Sequence, residues 1–286
     1  DNEQRFAALE EKIRHSLRDM YWSGNAPGDL IDRQSREASM VYINTLPEKE
    51  KEAAIIRLNN TKEAFNKQTY YALLLSCNII PEKDKKKVVD LLLKAVDEAP
   101  AGHLTTGIFG TRYVLEALSM YGHADKVFDI VNSTAYPGWG FMVKRGATTQ
   151  WETWKESDDV YSNCHPMFGS VSGWFYKWLA GVRPVTPGFK QFMIAPVLPA
   201  GLSQVRCNYE SPQGTIVANW DKKGNTSTFN ITVPAGSVGT FQLPAKHARK
   251  LQVKQVNTGN TFSPVVNKEG IYKFELKAGI YIITSA

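Results

Sequence analysis

The segment GATTQWETWKESDD, Gly146 to Asp159, sets one carboxylate, Glu152, between two indoles, Trp151 and Trp154. Just upstream, TAYPGWGFMVKRG adds Trp139 and Phe141 among Pro137, Gly138, Gly140 and Gly146, and glycine and proline at that density argue for loop. Aromatic faces on a Gly-rich loop are what a sugar-binding wall needs. They offer flat apolar surface for ring C–H groups, and the backbone is free to approach. Large aromatics are also costly to leave in water. A carboxylate among them is partly desolvated, which suits Glu152 to proton transfer. The alternative on the same residues is structural: the tryptophans anchor a loop, and Glu152 caps a backbone or pairs with an arginine. On chemistry alone both readings stand. His165, in NCHPMF, precedes a helix and is either part of the same site or an N-terminal packing residue. His15, His103, His123 and His247 carry no motif, although His103 in GHLTTG lies just before a helix and could face a pocket. There is no HExxH, no G-x-S-x-G and no phosphate loop, so no metal, cofactor or nucleotide chemistry is expected.

Helices must carry these residues. In RFAALEEKIRHSLRDMYW, Phe6, Leu9, Ile13, Leu17 and Tyr21 fall on one stripe at three- and four-residue steps. VDLLLKAV and GTRYVLEALSMYG repeat the pattern, with Gly122 as a helix stop. HPMFGSVSGWFYKWLAGV places Phe168, Val171, Phe175 and Trp178 on one face and ends at Gly181. An internal repeat also appears. Gln34, Ala38, Asn44, Pro47, Glu48, Lys49 and Leu58 recur as Gln68, Ala72, Asn78, Pro81, Glu82, Lys83 and Leu92, a constant offset of 34 residues. Each unit reads as a helix, a Pro-containing turn and a second helix, which must stack on neighbours to bury its apolar face. Such hairpins suit an (α/α) toroid or an open solenoid. Two recognisable units are few for a free-standing solenoid.

After Gly181 the texture changes to short runs, several alternating with period two, separated by DKKGN, AGS, NTGN and KAG. These predict an antiparallel β-sandwich of about seven to nine strands. Arg183–Pro187 reads as a short, stiff linker, so the helical domain is assigned to 1–182 and the sandwich to 187–286. Hydrophobic residues make up 43% and charged residues 22% of the 286, ample for a sizeable core. The net charge is +6 but is spread out, with no basic stripe interleaved with aromatics, so no nucleic acid partner is expected. No apolar run suits a membrane span. Cys77, Cys164 and Cys207 show neither metal nor disulfide spacing.

GHLTTGIFGTRYVLEAL, YPGWGFMVKRGATTQWETW, NCHPMFGSVSGWFYKWLAGV, PGFKQFMIAPVLPAGL and YESPQGTIVANW, in this order, resemble bacterial inverting α-L-rhamnosidases. The likeness runs from about Phe6 to Pro244 and is densest from His103 to Trp220. It implies α + β multidomain architecture: an (α/α)6 toroid, here incomplete, followed by an antiparallel β-sandwich. It also implies a carbohydrate partner, terminal α-L-rhamnosides. The family's Thr-Thr-x-Trp-Glu motif makes Glu152 the general base, and its histidine before Phe-Gly-Ser-Val puts His165 in the rhamnose subsite. Asn163-Cys164-His165 is one residue longer than the family's Asn-His. Trp139, Trp151 and Trp154 are expected to line the sugar. An inverting hydrolase needs two carboxyl groups roughly 6.5–9.5 Å apart, and the family's upstream acid motif is missing. Its nearest look-alike, Asp32-Arg33-Gln34-Ser35-Arg36-Glu37, belongs to the repeat. The chain therefore reads as the C-terminal part of a rhamnosidase with little turnover of its own, or as a carbohydrate-binding remnant of the same fold. Uncovered apolar helix faces would favour a homodimer. A periplasmic or secreted location is favoured over a cytoplasmic one.

Overall fold

The computed structural model describes residues 2–22, 29–61, 65–156 and 161–285, without the side chains of 29–32. The chain packs into two compact units, Asp1–His123 with Ile130–Phe168, and Ala124–Asp129 with Gly169–Ala286.

In the first unit the repeat is seen as two helical hairpins. Helices α2 (Asp29–Ile43) and α3 (Glu48–Asn60) follow α1 (Asn2–Tyr21), and α4 (Lys67–Ser76) pairs with α5 (Glu82–Asp97). Pro47 and Pro81 sit one residue ahead of α3 and α5 in extended backbone, where a missing N–H costs nothing. Acidic residues follow in each first turn, beside the positive end of the helix dipole. The two copies differ in burial. Helix α4 buries Gln68, Tyr71, Ala72, Leu74 and Leu75, and α5 buries Val88, Val89, Leu92 and Val96, whereas α3 buries nothing. Helix α1 keeps its predicted stripe, but Phe6 is 65% and Ile13 51% exposed. Its C-terminal end is tied down: Arg18 Nε donates to Ile79 O at 2.8 Å, and the buried Trp22 donates to Asp84 Oδ2 at 3.0 Å.

Helix α6 (Gly110–Met120) packs on α4 at Gly110, where a Cβ would lie 2.1 Å from Thr69 Oγ1. Gly122, at φ +88°, ends α6 as expected. Helix α7 (Ala124–Asn132) follows. The Gly-rich stretch expected as loop contains a short helix, α8 (Trp139–Lys144). Gly140 permits it, since a Cβ there would stand 2.4 Å from Ser133 O.

The second unit takes Ala124–Asp129 of α7 and continues with α9 (Ser170–Trp174), which widens into a π turn over Phe175–Leu179. The extra residue in that turn shifts the face presented. Trp174 and Trp178 are buried, while Phe175, expected on the apolar face, is 41% exposed. Arg183 and Pro184, expected in a linker, lie in strand β1 (Val182–Pro184), which pairs with β2 (Gln191–Ile194). The remaining strands are β3 (Gln204–Val205), β4 (Asn208–Ser211), β5 (Gly214–Lys223), β6 (Thr226–Val233), β7 (Val238–Pro244), β8 (Leu251–Gln255), β9 (Thr261–Phe262), β10 (Ile271–Leu276) and β11 (Gly279–Ser285).

Four strands form one sheet, β1-β2-β7-β10, and seven form the other, β3-β5-β6-β11-β8-β9 with β4 also on β5. All pairs are antiparallel but one: β2 runs parallel to β7. The core is built from alternate residues, among them Phe192, Trp220, Phe229, Ile231, Phe241, Leu243, Leu251, Val253 and Ile283. Trp220 Nε1 is satisfied inside it by Leu179 O at 2.8 Å. Burial pushes the Cys207 thiol up to about 11, so it is an inert core residue at neutral pH.

Gly181 joins the π turn to β1 at φ +80°, and a Cβ there would meet Ala195 C and Pro196 N at 2.3 Å. Both the dihedral and the space exclude a side chain. Gly181→Ala is expected to cost about 2 kcal/mol or more. Urea denaturation followed by circular dichroism would measure it, and an unchanged midpoint would contradict the close approach.

Candidate functional site

Glu152 and His165 lie on two irregular segments of the first unit that exchange backbone hydrogen bonds. Glu152 N–H donates to Ser162 O at 2.8 Å, and His165 N–H donates to Gln150 O at 2.7 Å. Thr149 Oγ1 closes the same ladder by donating to Asn163 O. Residues 157–160, between the two segments, lie outside the described residues. The extra residue Cys164 is exposed, and its N–H donates to Ser162 Oγ at 3.0 Å. The ladder thus holds His165 in place despite the longer Asn-Cys-His spacing.

Glu152 is partly buried. Its Oε2 accepts the Ser162 N–H at 2.9 Å, while no hydrogen bond to its Oε1 is present among the described residues. One oxygen is therefore fixed and the other is available as a proton acceptor. The arginine pairing weighed from the sequence goes to a neighbour: Arg145 contacts Glu156 at 3.2 Å. His165 is also partly buried, and its Nδ1 accepts the Met167 N–H at 3.4 Å. In the neutral ring that bond leaves the proton on Nε2.

The tryptophans stand behind this ladder. Trp139, Trp151 and Trp154 are all buried. Trp154 stacks on Phe168 with centroids 3.8 Å apart and meets Trp139 edge-on at 5.0 Å. Trp154 Nε1 donates to Thr106 O at 2.7 Å, and Trp139 Nε1 donates to Phe168 O at 3.0 Å. Both indoles have their polar edge satisfied by backbone, so they anchor the loop in the way the structural reading of the sequence anticipated.

What the sequence did not single out is the support beneath them. Gln68 is fully buried in α4, where its Nε2 donates to Ala95 O (3.1 Å) and His103 O (3.0 Å) and its Oε1 accepts from Thr105 N–H (2.9 Å). Asn66, the N-cap of α4, adds bonds from Nδ2 to Thr105 O and Oγ1, each 3.0 Å. These fix residues 103–106, and with them the carbonyl that Trp154 reaches. The available signal was the recurrence of Gln34 as Gln68 just ahead of the apolar run YYALLL. His103 is itself buried, beside Gly138. Gln150 was likewise passed over. Its Oε1 is buried with no hydrogen-bond partner among the described residues, two positions before Glu152. Of the acid look-alike, Arg36 is committed to Leu58 O (2.9 Å) and Thr61 O (2.6 Å), Glu37 is exposed, and the side chain of Asp32 lies outside the described residues. Among the described residues, no cluster of His, Cys, Asp and Glu could hold a metal.

The first unit is built of paired helices and carries a carboxylate and an imidazole on one ladder, and a two-sheet β unit follows it along the chain. Residues 1–179 match the profile described as bacterial alpha-L-rhamnosidase 6 hairpin glycosidase domain, and residues 181–258 match the bacterial alpha-L-rhamnosidase C-terminal domain. The chain belongs to the bacterial alpha-L-rhamnosidase family. It is 25% identical over 263 residues to an alpha-L-rhamnosidase of Formosa agariphila, covering 88% of this chain and 28% of that protein. It is 29% identical over 225 residues to one from Streptomyces avermitilis, covering 76% and 21%. Among solved structures, the alpha-L-rhamnosidase from Dictyoglumus thermophilum superposes with a TM-score of 0.70 at 29% identity, over 89% of this chain and 30% of that one. The chain thus spans less than a third of the length of these relatives.

If the Trp154 hydrogen bond anchors the site, Trp154→Phe should destabilise the first unit by about 1–3 kcal/mol, since among the described residues the Thr106 carbonyl keeps only the long bond from Thr111 Oγ1, 3.5 Å. Thermal unfolding followed by tryptophan fluorescence would show it. No change in stability would mean that the bond carries no weight.

Proposed function

We propose that this chain carries the water-activating half of an inverting α-L-rhamnosidase site, with Glu152 as general base. The supporting observation is the carboxylate itself: Oε2 is fixed by the Ser162 N–H, and no bond to Oε1 is present among the described residues. In this reading water lies on the face of the rhamnose ring opposite the glycosidic oxygen. Its proton passes to Glu152 as its oxygen bonds to the anomeric carbon, and the bond to the leaving oxygen breaks. The configuration inverts because attack and departure are on opposite faces. His165 donates from Nε2 to a sugar hydroxyl, and the Gln150 amide oxygen accepts from another. The buried tryptophans hold the ladder.

The leaving oxygen requires a proton from a second carboxyl group, roughly 6.5–9.5 Å from the base. Among the described side chains of the Asp32–Glu37 segment none supports such a role, with Arg36 tied to the α2–α3 hairpin and Glu37 exposed. That observation also favours the second reading, a domain that binds rhamnosides without turning them over.

An aryl rhamnoside separates the two, because nitrophenolate leaves with little acid assistance. Single-turnover release of 4-nitrophenol from its α-L-rhamnoside is expected, lowered by about 10²–10⁴ in Glu152→Gln. Release that is indifferent to this substitution would refute the assignment of the base. Rhamnose binding by calorimetry with no release would leave the binding reading. His165→Ala is expected to raise KM more than it lowers kcat, since it removes a contact made in both ground and transition states.

A further inference from the structure

The second unit contains a cavity of about 540 Å³, lined by Lys222 at the end of β5, Asn225, Ser227 in β6, and Lys246, His247 and Arg249 on the turn before β8. No carboxylate lines it. The ion pairs of the described residues leave out Lys222, Lys246 and Arg249, so three cations line one space without an ion-pair partner among the described residues, and Asp125 on α7 is the acid close enough to act on His247. Elsewhere on the same sheet a cation is paired: Arg206 contacts Asp221 at 2.6 Å. Like charges held together around a concave space raise the local potential and attract an anion.

We propose that this cavity binds the oxyanion of an acidic saccharide, a uronate carboxylate or a sugar sulfate ester, held by Lys222, Lys246 and Arg249. The volume lies within the range of small-molecule sites, about 300–1,000 Å³, and exceeds what a bare inorganic anion fills. Asn225 and Ser227 offer the donors and acceptors that ring hydroxyls need. The site would let the β unit grip charged units of a polymer. Its sugar component rests on the carbohydrate reading above, and its anion component does not.

His247 gives the site a pH dependence. Burial, and then the charges of Lys246 and Lys222, hold this imidazole below its usual range, while Asp125 on α7 acts in the opposite sense. The free site therefore favours neutral His247 at pH 7. A bound oxyanion offsets the two lysines and favours the protonated ring. Binding takes up a proton there and tightens as pH falls.

Titration calorimetry of the whole chain tests this with D-glucuronate, galactose 6-sulfate, inorganic sulfate and L-rhamnose as probes, below and above about pH 6. The two charged sugars are expected to bind, more tightly at the lower pH. Lys222→Gln combined with Arg249→Gln should weaken them about tenfold or more without changing the melting temperature. Charged-sugar binding that persists in Glu152→Gln supports the proposal independently of the fate of hydrolysis. Equal affinity in the double variant would overturn it. So would inorganic sulfate binding as tightly as the charged sugars, since the saccharide would then contribute nothing.

Discussion

The hydrogen bond from Trp154 Nε1 to Thr106 O, 2.7 Å long and buried, is the constraint on which the candidate site depends. It joins a loop with little regular structure to a segment that is over-determined. On one side Gln68 and Asn66 hold residues 103–105 by main-chain and side-chain bonds. On the other, Trp154 carries Phe168 and Trp139 against it. A buried amide such as Gln68 would be costly if half satisfied, yet here both ends are used. The ladder bearing Glu152 and His165 inherits its position from this anchor. A carboxylate has to be placed to within fractions of an ångström to act on water, and a Gly-rich loop alone does not supply that.

Much of the architecture was legible in the sequence because it rests on periodicity. The 34-residue repeat appears as two helical hairpins, and the alternating runs after Gly181 appear as strands of two facing sheets. Other features escaped because they depend on contacts distant in sequence. The π turn at Phe175–Leu179 rotates Phe175 outward, and nothing local in FYKWL distinguishes it from an α turn. Helix α8 forms where glycines suggested loop, because Gly140 must pass close to Ser133. The repeat itself concealed a difference in role. Gln34 and Gln68 are equivalent in sequence, but Gln34 is exposed and Gln68 is the buried clamp.

The same limit applies to the site. Residue types around Glu152 were compatible with a sugar wall and with a packed anchor, and composition could not separate them. Burial does. The indole N–H groups of Trp139 and Trp154 end on backbone carbonyls, so most of their surface serves cohesion. What remains is polar: an oxygen of Glu152 with no hydrogen bond among the described residues, the Nε2 edge of His165 and the Gln150 amide oxygen. In the proposed function these serve as an acceptor for water and two hydrogen-bonding groups for sugar hydroxyls.

The most direct test of Glu152 as the base of an inverting reaction is the configuration of the sugar first released. Proton NMR can follow the anomeric signals of L-rhamnose freed from its 4-nitrophenyl α-glycoside before they equilibrate. The account predicts that the β-anomer appears first and that its release disappears in Glu152→Gln. The α-anomer appearing first, or release of either anomer that survives the substitution, would contradict it.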